Sequence, residues 1–125
     1  MKQVVLVTGA ASGLGNVIAE HFAGQGHQVI LSASTLEKAE KNSRFPENIF
    51  PLKLDISVET DFHKAVECIR QQFNQLDVLI NNATVTKATP VLEISAADFD
   101  WITQVNQRGT FQACQIIGKY MAEQG

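Results

Sequence analysis

The sequence predicts an α/β fold in which parallel strands alternate with helices, and three observations support this prediction. Four short apolar runs, at residues 3–7, 28–31, 49–54 and 77–80, have the length of buried strands. Helical patterns lie between these runs, and parallel strands need such crossover segments. The 125 residues, of which 45% are hydrophobic and 18% charged, have the composition of one globular domain.

The order of the strands follows from one proline. Pro51 lies within the third apolar run, where it removes a ladder donor and would be poorly tolerated at the centre of a sheet. The third strand is therefore predicted at an edge. A Rossmann-type doubly wound parallel sheet has its first four strands in the order 3-2-1-4, which places the third strand at that edge. We predict this α/β fold.

The segment after the third strand predicts an amphipathic helix, with Ser57 as its N-cap and with Glu59 and Asp61 in its first turn. Two more helical patterns, at about residues 95–105 and 107–123, follow a polar loop at 84–90. A complete sheet of this type has a fifth strand beside the fourth. Residues 1–125 are thus expected to form a single domain that is truncated after the fourth strand and the helices following it.

Composition argues against several classes of function. The net charge of −3 comes from scattered residues without a basic cluster, so nucleic acid is not expected as a partner. The first nine residues are too short an apolar segment for a signal peptide or a membrane span, and a cytoplasmic protein is expected. Cys68 and Cys114 are too far apart for a metal-ligand pair; we expect small buried hydrophobic residues and no metal site.

A glycine-rich segment, Thr8 to Gly15, follows the first strand and opens the first helix, as a dinucleotide-binding loop requires. Gly9 permits a tight turn, Gly13 permits close approach of the backbone to a pyrophosphate, and Gly15 permits close packing of helix on strand. The alternative is an ordinary glycine-rich turn. The order strand, loop, helix favours the cofactor, with Ser12 and Leu14 also placed around the pyrophosphate.

Four motifs follow one another along the chain: the Thr-Gly-x-x-x-Gly-x-Gly loop at Thr8 to Gly15, then Leu54-Asp55-Ile56, Asn81-Asn82-Ala83, and Val105-Asn106. In this order they resemble the short-chain dehydrogenase/reductase family over essentially the whole chain. The resemblance implies hydride transfer between a nicotinamide cofactor and an alcohol or ketone. One position departs from the family pattern, because Thr84 stands where glycine is usual and its side chain would crowd the nicotinamide ribose or need a shifted backbone.

The resemblance also implies roles for individual residues. Asp55 and Ile56 would bind the adenine ring, while Asn82 and Ala83 would lie near the nicotinamide side. Asn106 would be the member of the catalytic set that holds water in a proton relay. From the residues alone, the alternative for the asparagines is local hydrogen bonding, since asparagine is common wherever strands and helices end.

The end of the second strand bears on the choice between NADP and NAD. An acidic residue there normally binds the 2′-hydroxyl of NAD, but this chain reads Ser32-Ala33-Ser34-Thr35. The Ser34 and Thr35 hydroxyls can donate to a 2′-phosphate, with Lys38 near enough to help, which favours NADP. The alternative is that Ser34 or Thr35 caps the helix beginning near Leu36.

The family's Tyr-x-x-x-Lys pair is absent from this sequence, because the only tyrosine is Tyr120 and Gln124 stands four residues later. His21, His27 and His63 are expected as surface or helix-end residues, and no general acid is assigned. Two hypotheses remain: the cofactor-binding portion of an oxidoreductase, and a non-catalytic dinucleotide-binding module. A protein that binds no nucleotide is a third. Apolar residues at the fourth strand and on the last helix also predict a homo-oligomer.

Overall fold

The computed structural model describes residues 1–40 and 43–125, and it contains a four-stranded parallel sheet. The strands are β1 (Val4–Val7), β2 (Gln28–Ala33), β3 (Ile49–Lys53) and β4 (Val78–Ile80), and their order is β3-β2-β1-β4. This order confirms the predicted Rossmann-type sheet. Pro51 lies in edge strand β3 opposite Leu31, so its missing N–H falls where a donor is least needed.

Helices connect the strands and cover both faces of the sheet. They are α1 (Gly13–Gly24), α2 (Leu36–Ala39) and α3 (Glu59–Phe73), with a single 3₁₀ turn at Pro46–Asn48 before β3. After β4 a helical run follows, made of α4 (Ala96–Thr103), a π-helical stretch (Gln104–Gly109), α5 (Thr110–Gln112), a second π-helical stretch (Ala113–Ile117) and α6 (Gly118–Glu123). The two separate helices predicted here are therefore one run.

Two local predictions were wrong. Val58, not Ser57, occupies the N-cap of α3, because the Ser57 hydroxyl and backbone N–H instead donate to Asp55 Oδ1, at 2.7 and 3.0 Å. Cys114 is exposed rather than buried, since it lies on the outward side of the helical run, where Asn81 Nδ2 donates to its Sγ at 3.5 Å. Cys68 is half-buried.

The core is divided by the sheet into two layers. On one face, Leu6 and Ile30 of the sheet pack with Phe62 and Ile69 of α3 and with Ile117 of the C-terminal helical run. On the other face, Val5, Val7, Val29 and Leu31 of the sheet pack with α2 and with α1, which contributes Ala19. Alternate residues of β1 and β2 thus feed different layers, as in a doubly wound fold. Across the described parts of the chain, every helix is too short or too polar to cross a membrane.

Candidate functional site: a cavity at the carboxyl ends of the strands

The loop between β1 and α1 has the conformation that its glycines predict. Gly9 and Gly13 both have φ of +59°, which a residue with a Cβ adopts only at a cost. A Cβ at Gly13 would meet no atom within 4 Å, so this part of the loop faces open space. Ser12 occupies the N-cap of α1 without a side-chain capping bond, which leaves the first-turn N–H groups available to an anion.

A set of hydrogen bonds, which we call the Asn82 bridge, ties this loop to the end of β4. Asn82 Nδ2 donates to the carbonyl oxygens of Thr8 and Gly9, at 3.1 and 3.0 Å. The Thr8 hydroxyl oxygen accepts from the backbone N–H groups of Asn82 and Ala83, both at 3.0 Å. A Cβ at Gly15 would collide with Asn82 Nδ2 and lie 2.6 Å from the Gly9 oxygen, so the bridge requires glycine there.

The turn that follows β3 is held by carboxylates. Asp55 Oδ1 accepts from Ser57, while the Asp55 backbone N–H donates to Asp61 Oδ2 at 2.9 Å. Asp61 also accepts two hydrogen bonds from Lys53 Nζ, at 3.0 and 3.2 Å. Burial alone would raise the pKa of the Asp61 carboxyl, but the Asp55 N–H and the Lys53 ammonium together hold that pKa below its ordinary value. Asp61 is therefore ionised at neutral pH.

At the end of β2 the sequence left two interpretations of the Ser34 and Thr35 hydroxyls, contact with a 2′-phosphate and capping of α2. Thr35 is the N-cap of α2, and its hydroxyl oxygen accepts from the Lys38 backbone N–H at 3.2 Å. The capping interpretation is therefore confirmed for Thr35. Ser34 and Lys38 line the cavity described below, together with Ala33, the last residue of β2.

Asn106 lies in the first π-helical stretch and binds the backbone of Val85. Val85 N–H donates to Asn106 Oδ1 at 2.7 Å, and Asn106 Nδ2 donates to the Val85 carbonyl oxygen at 2.8 Å. The Thr110 hydroxyl donates to the Asn106 carbonyl oxygen at 2.7 Å. The Asn106 side chain is thus hydrogen-bonded to the backbone of a residue 21 positions away. Thr84 is not among the described non-glycine residues with positive φ, so the backbone there accommodates its Cβ without strain.

These segments surround one cavity of about 740 Å³ at the carboxyl ends of the strands. Parallel α/β proteins bind ligands at this edge of the sheet. Eight of the predicted site residues line it: Gly9, Ser12, Leu14, Ser34, Asp55, Ile56, Asn82 and Ala83. Among the residues that the structure describes, the lining does not include Gly13, Gly15 or Asn106, which shape the surrounding backbone.

Sequence reasoning missed Trp101 and Val105, which line the same cavity from the C-terminal helical run. Trp101 lies one helical turn before Val105, and Val105 directly precedes Asn106; this spacing is the signal that would have found them. Trp101 is the only tryptophan of the chain and is 45% exposed. Its position makes it a natural reporter of occupancy.

The sheet order and the glycine loop place the protein in the class of Rossmann-type α/β proteins. Residues 3–125 match the family model described as short chain dehydrogenase. The chain belongs to the short chain dehydrogenase family, which confirms the resemblance drawn from its motifs.

Individual relatives agree with this assignment. The 2-(R)-hydroxypropyl-CoM dehydrogenase of Xanthobacter autotrophicus is 35% identical over 133 aligned positions, which cover 100% of this chain and 53% of that protein. A short chain dehydrogenase from Bacillus anthracis has a TM-score of 0.90 and 34% identity, covering 97% of this chain and 50% of that one. The structure of ElxO with NADP bound also has a TM-score of 0.90, at 29% identity and with coverage of 98% and 52%. The chain spans about half the length of the relatives it matches.

Proposed function

We propose that residues 1–125 form the nicotinamide-dinucleotide-binding domain of an oxidoreductase that transfers hydride between its cofactor and an alcohol or ketone. The single observation that carries this proposal is the cavity, which joins the glycine loop, the turn after β3 and the end of β4 in one space. The positive φ of Gly9 and Gly13 and the uncapped first turn of α1 fit a pyrophosphate. Dehydrogenase and reductase relatives support the reaction class.

Each segment of the cavity has a proposed role. The backbone from Ser12 to Gly15 binds the pyrophosphate, and Gly9 keeps the loop close to it. Asp55 and Ile56 bind the adenine ring. Ala83 and Asn82 lie at the nicotinamide side, where Asn82 acts mainly by fixing the loop, because its amide nitrogen is already bonded to two carbonyl oxygens. When bound, the nicotinamide supplies or accepts the hydride.

We further propose that NADP is preferred. Ser34 and Lys38 line the cavity and can donate to a 2′-phosphate through the hydroxyl and the ammonium group, whereas Thr35, the cap of α2, is outside the lining that the structure describes. The end of β2, Ser32 to Thr35, contains no carboxylate that would repel the phosphate. Lys38→Ala should weaken NADPH binding roughly tenfold and leave NADH binding within about twofold, as expected for one lost charge-assisted contact. Equal losses for both cofactors would contradict the preference.

Asn106 is proposed as a member of the catalytic set. Its side chain makes one accepted and one donated hydrogen bond with the Val85 backbone, and we assign contact with a relay water to its backbone carbonyl oxygen, which keeps a lone pair beside the Thr110 hydroxyl. The π-helical stretch supports this role, because such turns leave a carbonyl outside the regular i to i+4 ladder.

A non-catalytic dinucleotide-binding module is the second candidate, and Tyr120 is the observation that favours it. This only tyrosine is 6% exposed, with the Arg70 guanidinium 5.2 Å from its ring centroid, and it does not line the cavity. It is therefore not placed to protonate a substrate. The coding sequence downstream of Gly125 separates the candidates, since a serine followed by Tyr-x-x-x-Lys supports the oxidoreductase and a stop codon supports the module.

Cofactor binding itself is tested by titrating NADPH and NADH while following Trp101 fluorescence, with calorimetry as a second readout. Ser12→Glu places a negative charge at the proposed pyrophosphate site and should weaken binding by about tenfold or more. Gln72→Glu, which adds the same charge at an exposed position of α3, is the matched control and should bind like the wild type. The proposal is overturned if the wild type binds neither cofactor, or if the two variants behave alike.

A further inference from the structure

Asp61 is a buried charge at the boundary between the sheet and the cavity. It lies in the first turn of α3 with 3% of its surface exposed. Both of its oxygens are used: Oδ1 accepts from Lys53 Nζ, and Oδ2 accepts from Lys53 Nζ and from the Asp55 backbone N–H. A buried carboxylate is tolerated only when paired and hydrogen-bonded in this way.

The hydrogen bond from the Asp55 N–H to Asp61 matters for the cavity because of where it lies along the backbone. The Leu54 N–H still donates to a strand partner, the Ala33 carbonyl oxygen, at 2.8 Å. The next N–H along the chain, that of Asp55, lies beyond β3 and points away from β2, and Asp61 is its acceptor at 2.9 Å. Asp61 therefore supplies an acceptor that the sheet does not offer, at a residue that lines the cavity.

The rest of the turn is closed by its own residues. Asp55 Oδ1 accepts from Ser57, and the Val58 N–H donates to the Asp55 carbonyl oxygen at 3.0 Å. These bonds fix the shape of the turn but not its position relative to the sheet. Asp61 connects the turn to α3, where it lies, and to Lys53, the last residue of β3.

We propose that Asp61 is a positioning residue for the adenine end of the cavity, acting through the Asp55 backbone N–H without touching the ligand. This inference rests on the proposed function. Without the carboxylate, the Asp55 N–H and the Lys53 ammonium lose their shared acceptor, and the turn is free to move relative to the glycine loop. Asp55 and Ile56 would then be displaced, while the nicotinamide end, held by the Asn82 bridge, stays in place.

The test compares half-ligands on Asp61→Ala, Asp61→Asn and a matched control, with AMP reporting the adenine end and reduced nicotinamide mononucleotide the other end. Asp77→Ala is the control, because Asp77 Oδ2 also accepts a backbone N–H, that of Val4 at 2.7 Å, but at the opposite end of the sheet. Asp61→Ala should weaken AMP binding about tenfold and leave the mononucleotide within about twofold, a factor expected from losing one charge-assisted contact. Asp61→Asn, which keeps an acceptor oxygen, should recover most of the AMP affinity.

Each outcome bears on a different statement. Unchanged AMP binding by Asp61→Ala overturns the positioning role, and so does equal loss of both half-ligands, which indicates general loss of structure. Equal effects of Asp61→Ala and Asp77→Ala on AMP also overturn it. If Asp61→Ala does not fold, Asp61→Asn and amide hydrogen exchange at Asp55 carry the test, and exchange unaltered in Asp61→Asn counts against the role. A wild type that binds no nucleotide at all refutes the proposed function instead, and this inference with it.

Discussion

Replacing Gly15 by alanine tests the Asn82 bridge directly. The added Cβ would overlap Asn82 Nδ2 and lie 2.6 Å from the Gly9 oxygen and 3.0 Å from the Ala10 Cα. Two of these three contacts are backbone atoms, which cannot simply turn away. Overpacking of this kind costs about 1–3 kcal/mol, while alanine in place of a helical glycine gains up to about 1 kcal/mol. We expect a net destabilisation of roughly 1–2 kcal/mol.

Gly118→Ala supplies the matched control for this substitution. Gly118 also lies in a helix, but a Cβ there would meet nothing within 4 Å, so only the propensity gain of about 0.5–1 kcal/mol remains. Urea unfolding followed by circular dichroism measures both variants, and the two free energies of unfolding should differ by the overpacking cost, roughly 1–3 kcal/mol. The reasoning is refuted if Gly15→Ala is as stable as Gly118→Ala. It is also refuted if Gly15→Ala leaves Trp101-detected cofactor binding unchanged.

Three further predictions concern stability and association. Because the pKa of the Asp61 carboxyl is lowered in the folded state, its contribution to stability is present above the ordinary carboxyl pKa and is lost as pH falls through the lower folded value. The difference in unfolding free energy between the wild type and Asp61→Asn should therefore shrink between about pH 7 and about pH 2 in urea titrations. A constant difference would contradict this. Asn106→Ala removes two hydrogen bonds to Val85 and should cost about 1–3 kcal/mol of unfolding free energy, whereas Gln107→Ala, at an exposed site, should cost less than about 0.5 kcal/mol. Light scattering should detect a homo-oligomer, because β4 is an edge strand and Phe111 is 60% exposed; a monodisperse monomer at high concentration would rule it out.

The strands and their order could be predicted because each carries a local signal. Apolar runs bounded by turn residues marked all four strands to within one or two residues, and Pro51 alone identified the edge. The glycine loop could be predicted from the sequence equally well, because positive φ at Gly9 and Gly13 favours glycine at those positions.

Features that depend on side-chain competition or tertiary contact were not accessible in the same way. Ser57 has the residue type of an N-cap, but a carboxylate two residues earlier takes its hydroxyl. The break predicted near residue 106 is absent, because π-helical turns keep the chain helical while altering its register. Asp61 resembles an ordinary first-turn acid, and only the fold brings Lys53 and the Asp55 N–H to it.

The Asn82 bridge has a consequence for how the protein acquires its nucleotide loop. Its hydrogen bonds join residues that are 73 to 75 positions apart in the sequence. Contacts of such long sequence separation carry a loop-closure entropy cost that local contacts avoid, and they slow folding. Although the glycine loop is a short local motif in the sequence, its hydrogen bonds to Asn82 and Ala83 therefore depend on the pairing of β4 with β1.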